Sequence, residues 1–188
     1  ESWTRGASAD PGHVTSATYI GPVATALARV PLTHDGGLAP VACVLAACAS
    51  STIAIGLARA WLLEDRCDIA LCGGYDAVSV FVAAGFESLR ATCTDRGPLP
   101  FRVGRDGLAL GEGAAVIALM SRSASRAYAF VTGFGVTCDA THLTAPDPKG
   151  EGLARAAKHA LAEAGQASVD LVSAHGTATL QNDTSEAH

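Results

Sequence analysis

Aromatic side chains and charged groups are scarce in this chain of 188 residues. Aromatic residues make up 5% and charged residues 16%, and 13 Lys and Arg against 18 Asp and Glu give a net charge of -5. Binding to nucleic acid requires a basic surface, so this balance predicts no nucleic-acid partner. With 49% hydrophobic residues and 20 glycines, we expect one sizeable core of small side chains rather than two ordinary domains.

Long hydrophobic runs are also missing. No run approaches the ~18 apolar residues of a membrane span, and the opening residues Glu1–Arg5 have no apolar stretch of the signal-peptide kind. The six cysteines lie mostly in apolar runs, which is typical of buried free thiols in a reducing compartment. Two cysteine pairs, Cys43 with Cys48 and Cys67 with Cys72, each have four residues between them and apolar surroundings, which does not fit a zinc site. We expect no membrane association, no bound metal and a cytoplasmic location.

Apolar runs of strand length alternate with helix-prone segments. Such alternation predicts an α/β protein with a parallel or mixed sheet covered on both faces. The predicted strands are 41–47, 68–72, 114–120, 128–137 and 170–174. The predicted helices are 17–30, 52–64, 78–89 and 152–165.

Cys48 ends the first of these apolar runs and precedes a long predicted helix. The free N–H groups at the start of a helix, together with its dipole, favour negative charge. A cysteine at such a position is stabilised as the thiolate, which is the reactive form. The position of Cys48 therefore predicts a nucleophile.

His175 follows the predicted strand 170–174 and precedes Gly176 and residues with hydroxyl groups. Ligands of α/β proteins gather at the carboxyl ends of strands, and Cys48 also follows a predicted strand. A Cys/His couple at this edge could form and assist a thiolate nucleophile. From the residues alone, a purely structural histidine remains the alternative.

Several motifs between residues 41 and 188 together resemble the β-ketoacyl-acyl-carrier-protein synthase family, the elongating condensing enzymes of fatty-acid and polyketide synthesis. The first motifs are Ala47-Cys48-Ala49-Ser50-Ser51, Cys72-Gly73-Gly74, Ala84-Gly85-Phe86, Pro100-Phe101, Arg105-Asp106-Gly107 and Gly111-Glu112-Gly113-Ala114. The later ones are Asp139-Ala140, His142-Leu143-Thr144-Ala145-Pro146-Asp147, Gly150-Glu151-Gly152, Ala174-His175-Gly176-Thr177-Ala178-Thr179 and Asn182-Asp183.

This resemblance implies a thiolase-like fold with layers in the order α-β-α-β-α, of which only part of the duplicated structure is present. Residues 1–120 would form the end of the N-terminal half, and residues 127–188 the start of the C-terminal half. The family's second catalytic histidine and its lysine lie downstream of the His175 motif, and its first strand and glycine-rich turn lie upstream. We therefore expect an internal fragment of a synthase, inactive by itself.

The resemblance also implies the chemistry. Cys48 would attack an acyl thioester, and its backbone N–H would contribute to an oxyanion hole. His175 would stabilise the enolate formed when a malonyl group loses carbon dioxide. Thr177 and Thr179 match positions that bind the pantetheine arm, and Phe86 matches a position lining the acyl pocket. Asp183 and Glu186 match positions that brace the loops around the site.

The resemblance implies an acyl-carrier protein as partner, which delivers the phosphopantetheine arm, and no permanently bound cofactor. It also implies a homodimer, or a heterodimer with a synthase-like subunit. Carrier proteins are acidic, so Arg122 and Arg126 are docking candidates, with a solvated loop as the alternative. The competing functions are a non-catalytic partner subunit of the chain-length-factor type, an inactive fragment, and a thiolase with a second cysteine as base.

Overall fold

The computed structural model describes the backbone of residues 33–34 and 37–38, and residues 40–94, 96–121, 127–142 and 144–188. The predicted helix 17–30 and the docking candidates Arg122 and Arg126 lie outside the described residues. Contacts divide the chain into two compact units, Glu1–Ser50 and Ser51–His188.

The first unit contains a small β-hairpin. Strand β1 (Thr33–His34) pairs antiparallel with β2 (Gly37–Leu38). The strand predicted over 41–47 is wrong, because the described residues contain only an isolated bridge between Ala46 and Cys48 there. A strand needs a hydrogen-bonded neighbour as well as β-prone side chains, so the apolar run alone did not make one.

The described residues contain four helices in chain order: α1 (Ser50–Leu63), α2 (Val80–Ser88), α3 (Glu151–Ala164) and α4 (Leu180–Ala187). The first three agree with the predicted helices to within two residues at each end. The sequence reasoning missed α4. Its signal was Thr179, whose side chain caps the helix by accepting a hydrogen bond from the backbone N–H of Asn182.

A two-stranded sheet lies in the second unit. Strand β3 (Ile69–Asp76) pairs antiparallel with β4 (Gly113–Met120), in a register that runs from Ile69 opposite Met120 to Asp76 opposite Gly113. Both strands were predicted, but the expected parallel or mixed sheet is wrong for the described residues, where this pair is antiparallel. Periodicity and composition identify a buried strand without giving the direction of its neighbour.

The core of the second unit is small and made of small side chains. Ala58, Ala70 and Cys72 are buried in one cluster, and partly buried residues pack around them, namely Ile55, Leu62, Cys67 and Leu119. Burial removes solvent from the Cys72 thiol and raises its pKa. The prediction of a sizeable core is wrong for the described residues, since most of β4 is exposed.

The cysteines are only partly as predicted. All six are free, but Cys72 alone is buried, while Cys43, Cys48 and Cys138 are exposed. Apolar neighbours in sequence therefore did not guarantee burial of the thiol.

Segments 128–137 and 170–174, both predicted as strands, form no strand ladder within the described residues. Segment 128–137 packs directly against α3 instead. A methyl group added at Gly133 or Gly135 would overlap the carbonyl oxygens of Ala160 and Ala156 in that helix. Among the helices in the described part of the chain, none is long and apolar enough to cross a membrane.

Candidate active site

Cys48 lies exposed in a tight turn just before α1. The N–H of Ala49 donates to the carbonyl of Ala46 at 3.1 Å, and the N–H of Ser50 donates to Ala47 at 3.1 Å. The Ser50 hydroxyl closes the turn from the side, because it donates to the Ala47 carbonyl at 2.7 Å and accepts from the Ala46 N–H at 2.8 Å. Ala47 takes a left-handed conformation with φ 49°. The turn thus presents the thiol to solvent.

Helix α1 is fixed to the rest of the second unit through Arg59. Its guanidinium donates to the carbonyls of Val131 at 3.0 Å and Thr132 at 3.1 Å, and pairs with Glu163 of α3 at 2.7 Å. The second oxygen of Glu163 accepts the N–H of Phe134 at 2.7 Å. The hydrogen bond from Arg59, and then that from Phe134, lower the pKa of the Glu163 carboxyl. One ion pair therefore links α1, α3 and the segment between them.

His175 is exposed, and its backbone is held by Glu186 of α4. The N–H of His175 donates to Oε1 of Glu186, and the N–H of Gly176 donates to Oε2, both at 2.7 Å. Asn182 supports the carboxylate by donating from Nδ2 to Oε2 at 3.0 Å. Gly176 has φ 53°, a left-handed conformation that favours glycine. The imidazole is thus carried on a turn whose amides are fixed by a single carboxylate.

Asp183 of α4 holds the same turn from its other end. Its side chain is 1% exposed, and Oδ1 accepts the N–H of Ala178 at 3.1 Å. Oδ2 accepts the N–H of Phe101 at 2.6 Å. Ala178 is fully buried and has φ 63°, a conformation that costs a non-glycine residue energy. The expectation that Asp183 and Glu186 brace the loops is confirmed by these contacts.

Arg105 completes the surroundings of Asp183. Its Nε lies 3.4 Å from Asp183 Oδ2, close enough for an ion pair but without the alignment of a hydrogen bond. Nη1 donates to the carbonyl of Arg102 at 3.2 Å. Nη2 donates to the carbonyl of Leu180 at 3.4 Å and to the Thr184 hydroxyl at 3.2 Å. Arg105 is part of the family motif Arg105-Asp106-Gly107, but the sequence alone predicted no role for it.

Thr177 and Thr179 lie together in the turn, with their hydroxyl oxygens 3.0 Å apart. Thr179 Oγ1 also accepts the N–H of Asn182 at 3.3 Å, so this hydroxyl serves as the cap of α4. Both side chains are half-buried. His175, Thr177 and Thr179 therefore lie on one short segment that α4 holds in place.

Phe86 lies apart from that segment, half-buried on α2. It borders an apolar recess of about 620 Å³. The other residues that line this recess are Phe81, Val82, Ala84, Gly85, Ser88 and Leu89. Cys48 lies in the first compact unit, whereas Phe86 and His175 lie in the second.

Two family models match the chain. The β-ketoacyl synthase N-terminal domain matches residues 24–125, and the β-ketoacyl synthase C-terminal domain matches residues 128–188. The chain belongs to the β-ketoacyl synthase family. Its expected thiolase-like α/β fold is confirmed by solved ketosynthases to which the structure is similar.

A curated relative in the family is 3-oxoacyl-[acyl-carrier-protein] synthase 2 of Staphylococcus aureus. It is 37% identical over an alignment of 163 residues that covers 80% of this chain and 40% of the relative. A solved ketosynthase in complex with its chain length factor, from Xenorhabdus doucetiae, is 33% identical with a TM-score of 0.68, over 74% of this chain and 34% of that one. A solved complex of a type II polyketide synthase acyl-carrier protein with its ketosynthase is 26% identical with a TM-score of 0.81. This match covers 98% of this chain and 49% of that one. The chain spans about 40% of the length of the curated relative.

Proposed function

We propose that this chain carries catalytic residues of a 3-oxoacyl-acyl-carrier-protein synthase, an acyltransferase that performs decarboxylative Claisen condensation in fatty-acid or polyketide-type synthesis. One observation carries the proposal. This chain, which belongs to the β-ketoacyl synthase family, has an exposed thiol, Cys48, in the tight turn that leads into α1. An exposed thiol that precedes a helix is suited to nucleophilic attack.

The first half-reaction would load the acyl group. The Cys48 thiolate attacks the carbonyl of an acyl thioester, the bond from that carbonyl to the carrier's sulfur breaks, and the carrier leaves as a thiol after taking up a proton. The acyl group is then held as a thioester on Cys48. The backbone N–H of Cys48 would contribute to stabilising the negative oxygen of the tetrahedral intermediate.

The second half-reaction would form the new carbon–carbon bond. A malonyl thioester loses carbon dioxide, and the electron pair of the broken bond forms an enolate. The enolate carbon attacks the acyl carbonyl, and Cys48 leaves as a thiolate. His175 would donate a hydrogen bond to the enolate oxygen, and the fixed amides of its turn support a constant position for the imidazole.

Substrate binding would involve the turn and the α2 recess. Thr177 and Thr179 would hydrogen-bond the pantetheine arm. The closeness of their two hydroxyl oxygens supports this assignment. Phe86 would line the acyl pocket, which its place at an apolar recess supports.

We further propose that the partner is an acyl-carrier protein and that the synthase acts as a homodimer or as a heterodimer with a synthase-like subunit. Solved relatives in complex with a carrier protein and with a chain length factor support this. Six free thiols support a cytoplasmic location, where cysteines stay reduced. The chain would comprise the end of an N-terminal half, to about residue 120, and the start of a C-terminal half from about residue 127, in keeping with the two matched models.

Acyl loading of the intact gene product that contains this sequence tests the proposal. We expect acyl-carrier protein to transfer its acyl group to the wild type and to Cys138→Ser, which removes another exposed thiol. Cys48→Ser should lose transfer by about 1,000-fold or more, as is typical when a nucleophile is removed. Intact-mass measurement reports the acyl adduct, and peptide mapping reports its position.

Two outcomes would overturn the proposal. An acyl adduct on another residue, with Cys48→Ser as active as the wild type, removes the assigned nucleophile. No adduct on any variant of the intact gene product favours the non-catalytic alternative, a chain-length-factor-like partner subunit.

A further inference from the structure

Arg105 connects two parts of the molecule that are distant in sequence. It lies in the loop that begins at Phe101, and its guanidinium reaches into the first turns of α4. The side chain is 17% exposed, and that of its partner Asp183 is 1% exposed. Water therefore competes little for this ion pair.

The contacts of Arg105 lead to the His175 turn by two routes. The first passes through Asp183, whose Oδ2 faces Arg105 and whose Oδ1 accepts the N–H of Ala178. The second passes through α4, because Nη2 of Arg105 bonds the Leu180 carbonyl, and the same helix carries Glu186, which holds the N–H of His175. One guanidinium therefore pairs with the Asp183 carboxylate and also bonds the helix that carries Glu186.

Ala178 shows why this support matters. It is fully buried with φ 63°, a conformation that non-glycine residues adopt only when their surroundings enforce it. Its N–H donates to Asp183 Oδ1, and this contact helps to hold the backbone in that conformation. If Asp183 turned away, the strained residue could relax, and the segment that begins at His175 would move with it.

We infer that Arg105 is a positioning residue for His175, a role that rests on the function proposed above. It orients Asp183 and the start of α4, so that the imidazole stays where a developing enolate would need it. The planar guanidinium bonds three groups at fixed angles, whereas a lysine is a point charge on a flexible stem. Arg105→Lys should therefore keep the charge beside Asp183 but lose the geometry.

The two half-reactions separate this role from general destabilisation. Acyl loading depends on Cys48, and malonyl decarboxylation depends on His175. A misplacement of about 1 Å can cost about 100-fold in rate. We expect Arg105→Lys to slow decarboxylation by about 10- to 100-fold while acyl loading changes less than about threefold. A merely unstable protein would lose both half-reactions together.

The experiment uses the intact gene product and four proteins: wild type, Arg105→Lys, Arg105→Gln and the control Arg102→Lys. Arg102 lies in the same loop with an exposed side chain, and only its backbone carbonyl meets Arg105. Decarboxylation is followed as carbon dioxide released from a malonyl carrier, and loading as the acyl adduct. Amide hydrogen exchange at Phe101, His175 and Ala178 gives a readout independent of activity, and it should become faster in Arg105→Lys but not in the control.

The outcomes are distinct. A wild type that neither loads nor decarboxylates overturns the proposed function and this inference with it. An active wild type whose Arg105→Lys variant loses both half-reactions equally, or neither, overturns the inference alone. If Arg105→Gln fails to fold, Arg105→Lys decides, because it retains the charge that Asp183 requires.

Discussion

Asp183 carries a negative charge in a place almost closed to water. Moving a carboxylate out of water is costly unless it is paired and hydrogen-bonded. Here the cost is offset by the positive charge of Arg105 and by the N–H groups of Phe101 and Ala178. The same arrangement fixes the loop of Phe101 and Arg105 and the turn of Ala178 relative to one carboxylate, so this residue contributes to both stability and geometry.

Removing that carboxylate should be strongly destabilising. Asp183→Ala leaves Arg105 without its counter-charge, and breaking a buried ion pair in this way costs about 3–5 kcal/mol. Denaturant unfolding should show this loss in the free energy of unfolding. Asp170→Ala, at an exposed carboxylate, should change it by less than about 0.5 kcal/mol. Equal values for the two variants would show that the Asp183 ion pair contributes nothing net.

At this scale the sequence indicated which acidic residues matter but not their partners. The motif resemblance marked Asp183 and Glu186 as braces, and their contacts are as expected. It could not show that Arg105 meets Asp183, because that contact depends on how a distant loop packs on α4. Nor could it show that Ala178 takes a positive φ, since local preference assigns such conformations to glycine.

Among the elements, the contact of segment 128–137 with α3 depends on glycine. Gly135 and Gly133 lie so close to the helix that an added methyl would overlap backbone carbonyl oxygens, which cannot rotate away. Gly135→Ala should therefore lower the free energy of unfolding by about 1–3 kcal/mol, as overpacking generally does. Gly111→Ala is the matched control, because nothing lies within 4 Å of its added methyl. Equal stability of the two variants would contradict this close approach.

The cap of α4 gives a second prediction for an element. Thr179→Ala removes the oxygen that accepts the Asn182 N–H, and the loss of such a cap costs about 1 kcal/mol. Thr179→Ser keeps the oxygen, so its stability should stay close to that of the wild type. Thermal and denaturant unfolding of the two variants measure the difference. If serine is as destabilising as alanine, the stabilisation comes from the half-buried threonine methyl group rather than from the cap.

Helices and strands differed in how far the sequence could predict them. Helices α1, α2 and α3 were predicted because their hydrogen bonds are local and their periodicity is visible in sequence. A strand is defined by a partner elsewhere in the chain. Of the five predicted strands, 68–72 and 114–120 pair with each other. The other three form no strand ladder within the described residues, namely 41–47, 128–137 and 170–174. Apolar composition predicted all five equally.

For the molecule as a whole, the boundary between the matched family models is not a boundary between compact units. The models meet between residues 125 and 128, yet one unit runs from Ser51 to His188. The Arg59–Glu163 ion pair crosses that boundary, because Arg59 lies in the first matched region and Glu163 in the second. Composition predicted one core for the whole chain, whereas contacts divide the chain into two compact units. It could not show which residues hold the two matched regions together.

The charge of Glu163 should therefore make the stability of the second unit depend on pH. Arg59, and then the Phe134 N–H, lower the pKa of this carboxyl in the folded state, so the folded state favours its ionised form. The resulting stabilisation is fully present above the unfolded-state pKa of about 4.3. It is lost as the pH falls through the lower folded-state pKa, because protonation then removes the negative partner of Arg59.

Glu163→Gln isolates this contribution. The glutamine keeps the shape and an acceptor oxygen but cannot ionise, so the wild type should be the more stable protein at neutral pH, and the difference should shrink on acidification. Other carboxyls with lowered pKa values, such as Asp106, titrate in both proteins and cancel in the difference. If the difference in the free energy of unfolding between the wild type and Glu163→Gln stays constant through the acidic range, the ionised Glu163 does not join the two family regions. Packing of α1 and α3 against segment 128–137 would then join them instead.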